Sequence, residues 1–238
     1  MYPIAQSELF QILRNRSVLI TGLIMPIAAS AFFIVRRDDF VEAGSLGYIA
    51  AVIVFTIAAF SLYSTAVTTL AARRQTLFLK RLRSTAVGDT TILSALLLPV
   101  STLAVTQVAA ILAVFGAVGA RPAQIATLAV AIAAVFAMML AFGVATAGFT
   151  RSPEHAQVTT LPIALGTPIL ATWVGISGTE SLTVVKRLLP GGAATELIVD
   201  AWNVGVPVDD ALPLLAVTLA WVVVAVVLAI RLFRWEPR

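Results

Sequence analysis

The stretch that decides the fold is Gly47–Ala72, which reads GYIAAVIVFTIAAFSLYSTAVTTLAA and contains no charged residue. An α-helix rises about 1.5 Å per residue, so about 20 apolar residues cross the roughly 30 Å hydrocarbon core of a bilayer. Five more uncharged runs of similar length are Ser17–Val35, Thr90–Ala120, Pro122–Thr150, Ala156–Gly178 and Ala211–Ile230. Because membrane β-strands would instead alternate over about ten residues, the runs predict an all-α polytopic membrane protein with six transmembrane helices. We expect them to form one domain, residues 1–238.

The composition fits this class and excludes several kinds of chemistry. Hydrophobic residues make up 60% of the chain and charged residues 12%, about half the charged share of a soluble domain. The chain has no cysteine and a single histidine, His155, so it offers no disulfide framework and no site built from thiolates or several histidines. Neither Lys80 nor Lys186 stands in a phosphate-binding Gly-x-x-x-x-Gly-Lys loop. We therefore expect no catalytic residue, metal or cofactor on this chain.

The distribution of Lys and Arg predicts the orientation in the membrane. With the N-terminus in the cytoplasm, eleven of the sixteen cations fall in cytoplasmic segments, as the positive-inside rule requires. Both termini are then cytoplasmic. The Lys and Arg residues at the ends of the spans account for the pI of about 10.1, so no nucleic-acid partner is expected. Residues 3–16 are amphipathic and predict an interfacial helix; the alternative is a frayed tail.

Nothing inside the six runs titrates near neutral pH. The runs hold no intramembrane carboxylate pair and no nucleophile–base motif. Coupling to an ion gradient normally needs an ionisable residue in a span, although sodium sites can be built from carbonyls and hydroxyls. We therefore expect an external energy source. Two other classes stay open, an ion-coupled secondary carrier and a membrane scaffold that transports nothing.

Hydroxyl and amide groups are concentrated in the second and third runs, which makes them candidates for lining a path through the protein. The candidates are Thr56, Thr65, Thr106 and Gln107, with Trp221 near the middle of the sixth run. Such groups suit an amphipathic or apolar cargo. The alternative is that the hydroxyls bond back to their own helix and that Trp221 only packs.

The fifth run and the segment after it contain helix-breaking residues. Pro162, Gly166 and Pro168 interrupt the hydrogen-bond ladder of the fifth run, and they predict either a flexible hinge beside a path or a static kink. Residues 179–210 are the longest stretch between two runs, and apolar residues flank Pro190 in it. We expect two short helices around a break, forming a re-entrant hairpin on the outer side, which needs cover from protein or water.

A basic segment follows the second run. Residues 73–88 read RRQTLFLKRLRSTAVG and resemble the segment after the second span of ABC-2 type permeases, whose usual pattern ends in Leu-Lys-Arg-Leu-Arg-Ser-Thr-Pro. Three positions depart from that pattern, because Arg73 replaces its acidic residue, Gln75 its glycine and Ala86 its proline. Shorter similarities lie at Glu8-Leu9 with Arg14-Asn15-Arg16, at residues 151–154 and at residues 233–238.

The resemblance covers essentially the whole chain and implies an ABC-2 type exporter fold. Its parts would be six spans, an interfacial helix at residues 3–16, a cytoplasmic coupling hairpin at residues 73–89 and an outer re-entrant hairpin at residues 179–210. The coupling helix, about Arg74–Arg83, would dock on a separate ATPase subunit that carries ATP and Mg²⁺. The docking residues would be Arg74, Leu77, Phe78, Lys80, Arg81, Leu82 and Arg83. The alternative is that these cations only set the topology.

The resemblance also implies partners and a place. Permeases of this type work in pairs, so we expect a second copy or a related permease, in contact with membrane lipids. The expected place is the cytoplasmic membrane of a bacterium. The expected activity is the outward export of a drug, natural product or lipid, powered by the ATPase subunit.

Overall fold

The computed structural model describes residues 16–43, 45–84 and 88–235. Within these ranges the chain forms only helices and connecting turns, and we number the helices in chain order. The helices are α1 (Arg16–Leu19, Ile20–Ile24 and Met25–Val35), α2 (Arg37–Ala43), α3 (Leu46–Gln75), α4 (Phe78–Arg83), α5 (Asp89–Val118), α6 (Ile125–Ala147), α7 (Pro153–Ser177), α8 (Thr183–Leu188), α9 (Gly192–Asn203) and α10 (Val208–Leu232). Residues 3–15 of the predicted interfacial helix lie outside the described residues.

Five of these helices, α3, α5, α6, α7 and α10, are long and apolar enough to cross a membrane. The first apolar run forms α1, whose apolar part, Ile20–Val35, is shorter than these five. The prediction of an all-α, multi-pass membrane protein is therefore confirmed. Five of the six predicted spans have the required length, and α1 as the sixth stays a prediction.

Helix α3 forms the centre of the bundle. The Ser45 hydroxyl accepts a hydrogen bond from the Tyr48 backbone N–H at 3.1 Å and so caps the start of α3. Every residue from Gly47 to Ile57 is buried, and α5, α6, α7 and α9 pack around α3. Lipid tails are as apolar as the helix faces, so close packing of small residues holds such spans together. Gly143 of α6, for example, lies directly against Ala66 of α3.

The bundle has two differently built ends. The basic end consists of α4, the turn at residues 148–152 and residues 233–235 after α10. The hairpin end consists of the turn at residues 119–124 together with α8 and α9. Asn203 at the end of α9 fixes the hairpin end to α3, because its Oδ1 accepts from the Gly47 N–H and its Nδ2 donates to the Ser45 hydroxyl, both at 2.9 Å.

The predicted coupling helix needs a correction of its bounds. Helix α3 continues through Arg74 to Gln75, and a separate helix begins only at Phe78. Leu77 between them has φ 57°, in the left-handed region, which turns the chain sharply and costs a non-glycine residue about 1–2 kcal/mol. The sequence reasoning missed this turn because leucine gives no signal for a left-handed conformation.

Candidate functional site

Helix α4 at the basic end presents one exposed side. Leu77 at its start is 46% exposed, and Lys80 and Arg81 are exposed as well. The Arg81 guanidinium donates to the Thr76 carbonyl at 2.9 Å, which holds the start of the helix against the turn. The structure thus brings three of the seven predicted docking residues together on one accessible surface.

The opposite side of α4 packs into the bundle. Leu79 is fully buried, and Phe78 and Leu82 are partly buried against the same apolar core. The sequence reasoning singled out Phe78 and Leu82 for an external cleft and passed over Leu79. In a helix, residues three apart lie on the same face, so the pairing of Leu79 with Leu82 is the signal that could have identified the inward side.

Two further predicted docking cations, Arg83 and Arg74, contact residues outside α4. The Arg83 Nε lies 3.3 Å from the Asp89 carboxylate, and the Arg83 guanidinium lies 5.3 Å from the Trp235 ring centroid. Arg74 is only 5% exposed, so it is not on the surface that α4 presents. Its guanidinium donates to the carbonyl oxygens of Gly148 and Thr150.

The predicted path residues lie in different surroundings. Thr65 and Thr106 donate to carbonyls of their own helices, those of Phe60 and Thr102, as the alternative interpretation held. Thr56 is buried. Gln107 is buried, and its Nε2 donates to the Leu23 carbonyl of α1 at 3.3 Å. Trp221 donates its indole N–H to the Leu188 carbonyl of α8 at 2.9 Å.

A cavity of about 540 Å³ lies instead between α1, α3 and α7. It is lined by hydroxyl, amide, carboxyl and apolar groups: Thr21, Phe60, Ser64, Thr68, Pro153, Glu154, Ala156, Gln157, Thr160, Leu161 and Ala164. None of the five predicted path residues lines it. The pKa of the Glu154 carboxyl, in the first turn of α7, is lowered, first by its hydrogen bond with Ser152.

Two π-helical segments, Ile20–Ile24 of α1 and Ala58–Ser64 of α3, meet beside this cavity. The Ser61 hydroxyl of α3 lies in hydrogen-bond contact with the Gly22 carbonyl and with the Gln107 side-chain oxygen, the latter at 2.5 Å. A Cβ on Gly22 would come within 2.7 Å of the Thr65 hydroxyl. Such π-helical turns often occur at functional sites, and sequence periodicity did not reveal them here.

The predicted hinge residues lie along α7, next to the same cavity. The helix is divided at Thr160, directly before Leu161 and Pro162. Pro168 stands inside the second half, and it has no N–H to donate to the carbonyl of Ala164 four residues earlier. Gly166 has no atom outside the helix backbone near its Cβ position. Whether this segment bends during function stays a prediction.

The comparisons agree with this architecture. A family model described as ABC-2 family transporter protein matches residues 30–231, most of the chain. The chain belongs to the ABC-2 transporter family. The resemblance to an ABC-2 type permease is thereby confirmed. Searches of the curated proteins and of the solved structures found no match to this permease.

The hairpin end of the permease holds a fully buried cation. Lys186 of α8 is 1% exposed, and its ammonium donates to the Gly178 carbonyl at 2.6 Å and to the Ser177 hydroxyl at 2.8 Å. The same ammonium lies 5.2 Å from the Trp173 ring centroid. A cation is favourable at the carbonyl end of a helix, so Lys186 ties α8 to the end of α7.

An ion pair joins the two helices of the hairpin. Arg187 of α8 binds both carboxylate oxygens of Glu196 of α9, at 2.7 and 2.6 Å, and Thr179 donates to the same carboxylate at 2.8 Å. Bidentate pairs of this kind are the strong ones. Burial raises the pKa of the nearby Asp200 carboxyl and the charge of Glu196 raises it further, whereas Arg187 lowers it.

We expect Lys186→Met to destabilise the hairpin end of the permease. The substitution removes charge-assisted hydrogen bonds to Gly178 and Ser177, each worth about 1.5–3 kcal/mol, so the thermal midpoint in detergent should fall by several degrees. Lys80→Met is the matched control, because Lys80 is exposed on α4. The thermal midpoints are measured by intrinsic tryptophan fluorescence. Equal midpoints for the two variants would contradict an anchoring role for Lys186.

Proposed function

We propose that this permease is the transmembrane subunit of an ABC exporter in the cytoplasmic membrane of a bacterium. In this proposal the basic end faces the cytoplasm and a separate ATPase subunit supplies the energy. The observation that carries it is the exposed side of α4, where Leu77, Lys80 and Arg81 stand together beyond the end of α3. The spans themselves offer no ionisable group in their interior that could couple transport to a gradient.

The exposed side of α4 has the chemistry of a docking surface. Leu77 offers an apolar contact, and the two cations beside it can pair with acidic side chains at the rim of an ATPase groove. The inward side, with Leu79 buried, anchors α4 to the bundle, so force applied to α4 reaches the spans. An exposed cationic side opposite a buried anchoring side supports docking on a partner rather than a role of the cations in topology alone.

The outer hairpin is proposed to re-enter the membrane. Its tip contacts α10 through Trp221 and lies against Phe55 of α3 at Gly191. These contact points are the fourteenth residue of α10 and the tenth of α3, which is about 14 to 20 Å from the helix starts. Gly191 and Gly192 of the tip are buried at that depth, as a re-entrant segment requires. With α1 as a sixth span, the N-terminus lies on the cytoplasmic side, like the basic end.

The cargo is proposed to be amphipathic or apolar and to contact the cavity between α1, α3 and α7. The cavity combines the hydroxyls of Thr21, Ser64 and Thr68 with apolar side chains, which suits a molecule with both kinds of surface. Helix α7, which borders the cavity, is divided at Thr160 and contains prolines. A bend in α7 would therefore change the shape of the cavity. Export of a drug, natural product or lipid by a pair of permease subunits fits these features.

The test is purification of the tagged permease in mild detergent from its native membrane, with identification of the proteins that come with it. A stoichiometric P-loop ATPase is the expected result. Recovery of other intact membrane complexes without any ATPase would instead favour an ion-coupled carrier or a scaffold. Transport that follows a sodium or proton gradient would select the carrier among these two.

We expect Gly166→Ala to reduce transport without lowering the stability of the permease. The Cβ position at residue 166 is open, and alanine favours a helix over glycine by about 1 kcal/mol, so the thermal midpoint should hold or rise. If α7 bends at this place, ATP-driven transport should fall several-fold. Gly116→Ala is the control, because it lies inside α5 rather than α7 and its Cβ would meet only ordinary van der Waals contacts. Unchanged transport in Gly166→Ala would argue for a static kink.

A further inference from the structure

Residues 233–235, which follow α10, make contacts in two directions at the basic end. Phe233 and Trp235 stack edge to face with their ring centroids 5.3 Å apart. Trp235 receives the Arg83 guanidinium of α4 on its ring at 5.3 Å. Both aromatic side chains also pack against the apolar core. The short segment therefore holds the far end of α4, the end that is farthest along the chain from α3.

The same segment reaches the turn between α6 and α7 through Arg74. The Arg74 guanidinium donates to the Gly148 carbonyl at 3.1 Å, to the Thr150 carbonyl and, at 3.5 Å, to the carbonyl of Arg234. A Cβ on Gly148 would overlap the Leu232 carbonyl, so the end of α10 lies directly on the turn. A planar guanidinium serves several acceptors in a fixed geometry, whereas a lysine ammonium is a point charge on a flexible stem.

We propose that residues 233–235 form a strap that fixes α4 to the α6–α7 turn, with Arg74 as the positioning residue beneath it. Displacement of α4 would then move the starting turn of α7 with it. This inference rests on the proposed function, since it explains how a push on α4 would reach the helix that borders the cavity. The strap adds to the packing of Leu79 and its apolar neighbours, to the Arg83–Asp89 pair and to the connection with α3, which also hold α4.

Arg83 makes two contacts at the far end of α4, one with Trp235 and one with Asp89. Arg83 over Trp235 is a cation–π contact, and the Arg83–Asp89 pair, with both side chains about half exposed, is a weak surface ion pair. Loss of the indole therefore removes the contact of residues 233–235 with the far end of α4. Because α4 has a single turn and a half, it cannot remain rigidly placed by its own backbone hydrogen bonds.

The first test uses the permease alone. The natural chain has no cysteine, so spin labels on Lys80→Cys and Arg151→Cys report the distance between α4 and the α6–α7 turn without further changes. We expect one narrow distance distribution in this background and a distribution at least twice as wide after Trp235→Ala. Arg234→Ala, which keeps the carbonyl that Arg74 binds, and Trp235→Phe, which keeps an aromatic ring, should stay narrow. Equal widths in all four proteins would overturn the strap.

The second test uses the complex with the ATPase that co-purifies. In Trp235→Ala, ATP hydrolysis should continue while the amount transported per ATP falls at least fivefold, and Trp235→Phe should restore it. Normal transport per ATP in Trp235→Ala would overturn the transmission role. If the unmodified complex shows no ATP-driven transport, the exporter proposal fails, and the label distances still decide whether the strap holds α4.

Discussion

Reversal of two charges, Lys80→Glu with Arg81→Glu, is expected to abolish ATP-driven transport while the permease stays inserted in the membrane. Both residues stand on the exposed side of α4. Like charges placed face to face across an interface cost several kcal/mol. The ATPase recovered with the tagged permease should therefore fall at least about tenfold, and transport should fall with it.

The control for this experiment is Arg151→Glu with Arg231→Glu. These two arginines are also exposed and lie at the basic end or next to it. Each double variant replaces two cations by two glutamates, so the net charge changes by the same amount. If the cations serve topology alone, both double variants should lose orientation to the same degree, measured by labelling of a cysteine placed in α4 from either side. If α4 docks an ATPase, only the Lys80 and Arg81 variant should lose its partner. Normal ATPase recovery in that variant would sink the docking assignment.

The fold was largely predictable because its signal is long and repeated. Uncharged runs of twenty residues and more have few alternatives in an α-helical membrane protein, and five of the six form helices of spanning length. The break in the outer segment was predicted for the same kind of reason, since Pro190 and the two glycines after it stop a helix at Leu188. The resemblance at residues 73–88 pointed to the family that residues 30–231 match.

The candidate site was less predictable because it depends on which side of a short helix faces inward. A six-residue helix such as α4 is too short for a clear amphipathic period, so Leu79 was missed and Phe78 was given an external role. The inward position of Arg74 depends on carbonyls of Gly148 and Thr150, more than 70 residues away in sequence. The hydroxyl cavity likewise depends on α1, α3 and α7 meeting in space, which no local pattern encodes.

Gly192→Ala is expected to have the largest effect on folding of any single methyl group at the hairpin end. A Cβ at this position would overlap the Lys186 carbonyl, which is backbone and cannot rotate away. Overpacking costs typically about 1–3 kcal/mol where side chains can shift, and more where they cannot. We therefore expect a loss of about 3 kcal/mol or more, seen as a large fall of the thermal midpoint in detergent.

The effect of Gly192→Ala should extend beyond stability, because the tip of the hairpin connects three helices. Lys186 ties α8 to the end of α7, and Leu188 receives the Trp221 indole of α10. Moving α9 away from α8 breaks this arrangement while α4 at the opposite end stays intact. The variant should therefore still recover the ATPase but lose transport, the reverse of the Lys80 and Arg81 variant. Gly116→Ala, the same change where the added Cβ meets only ordinary van der Waals contacts, should leave both unaffected, and equal midpoints for the two alanine variants would contradict the tight tip.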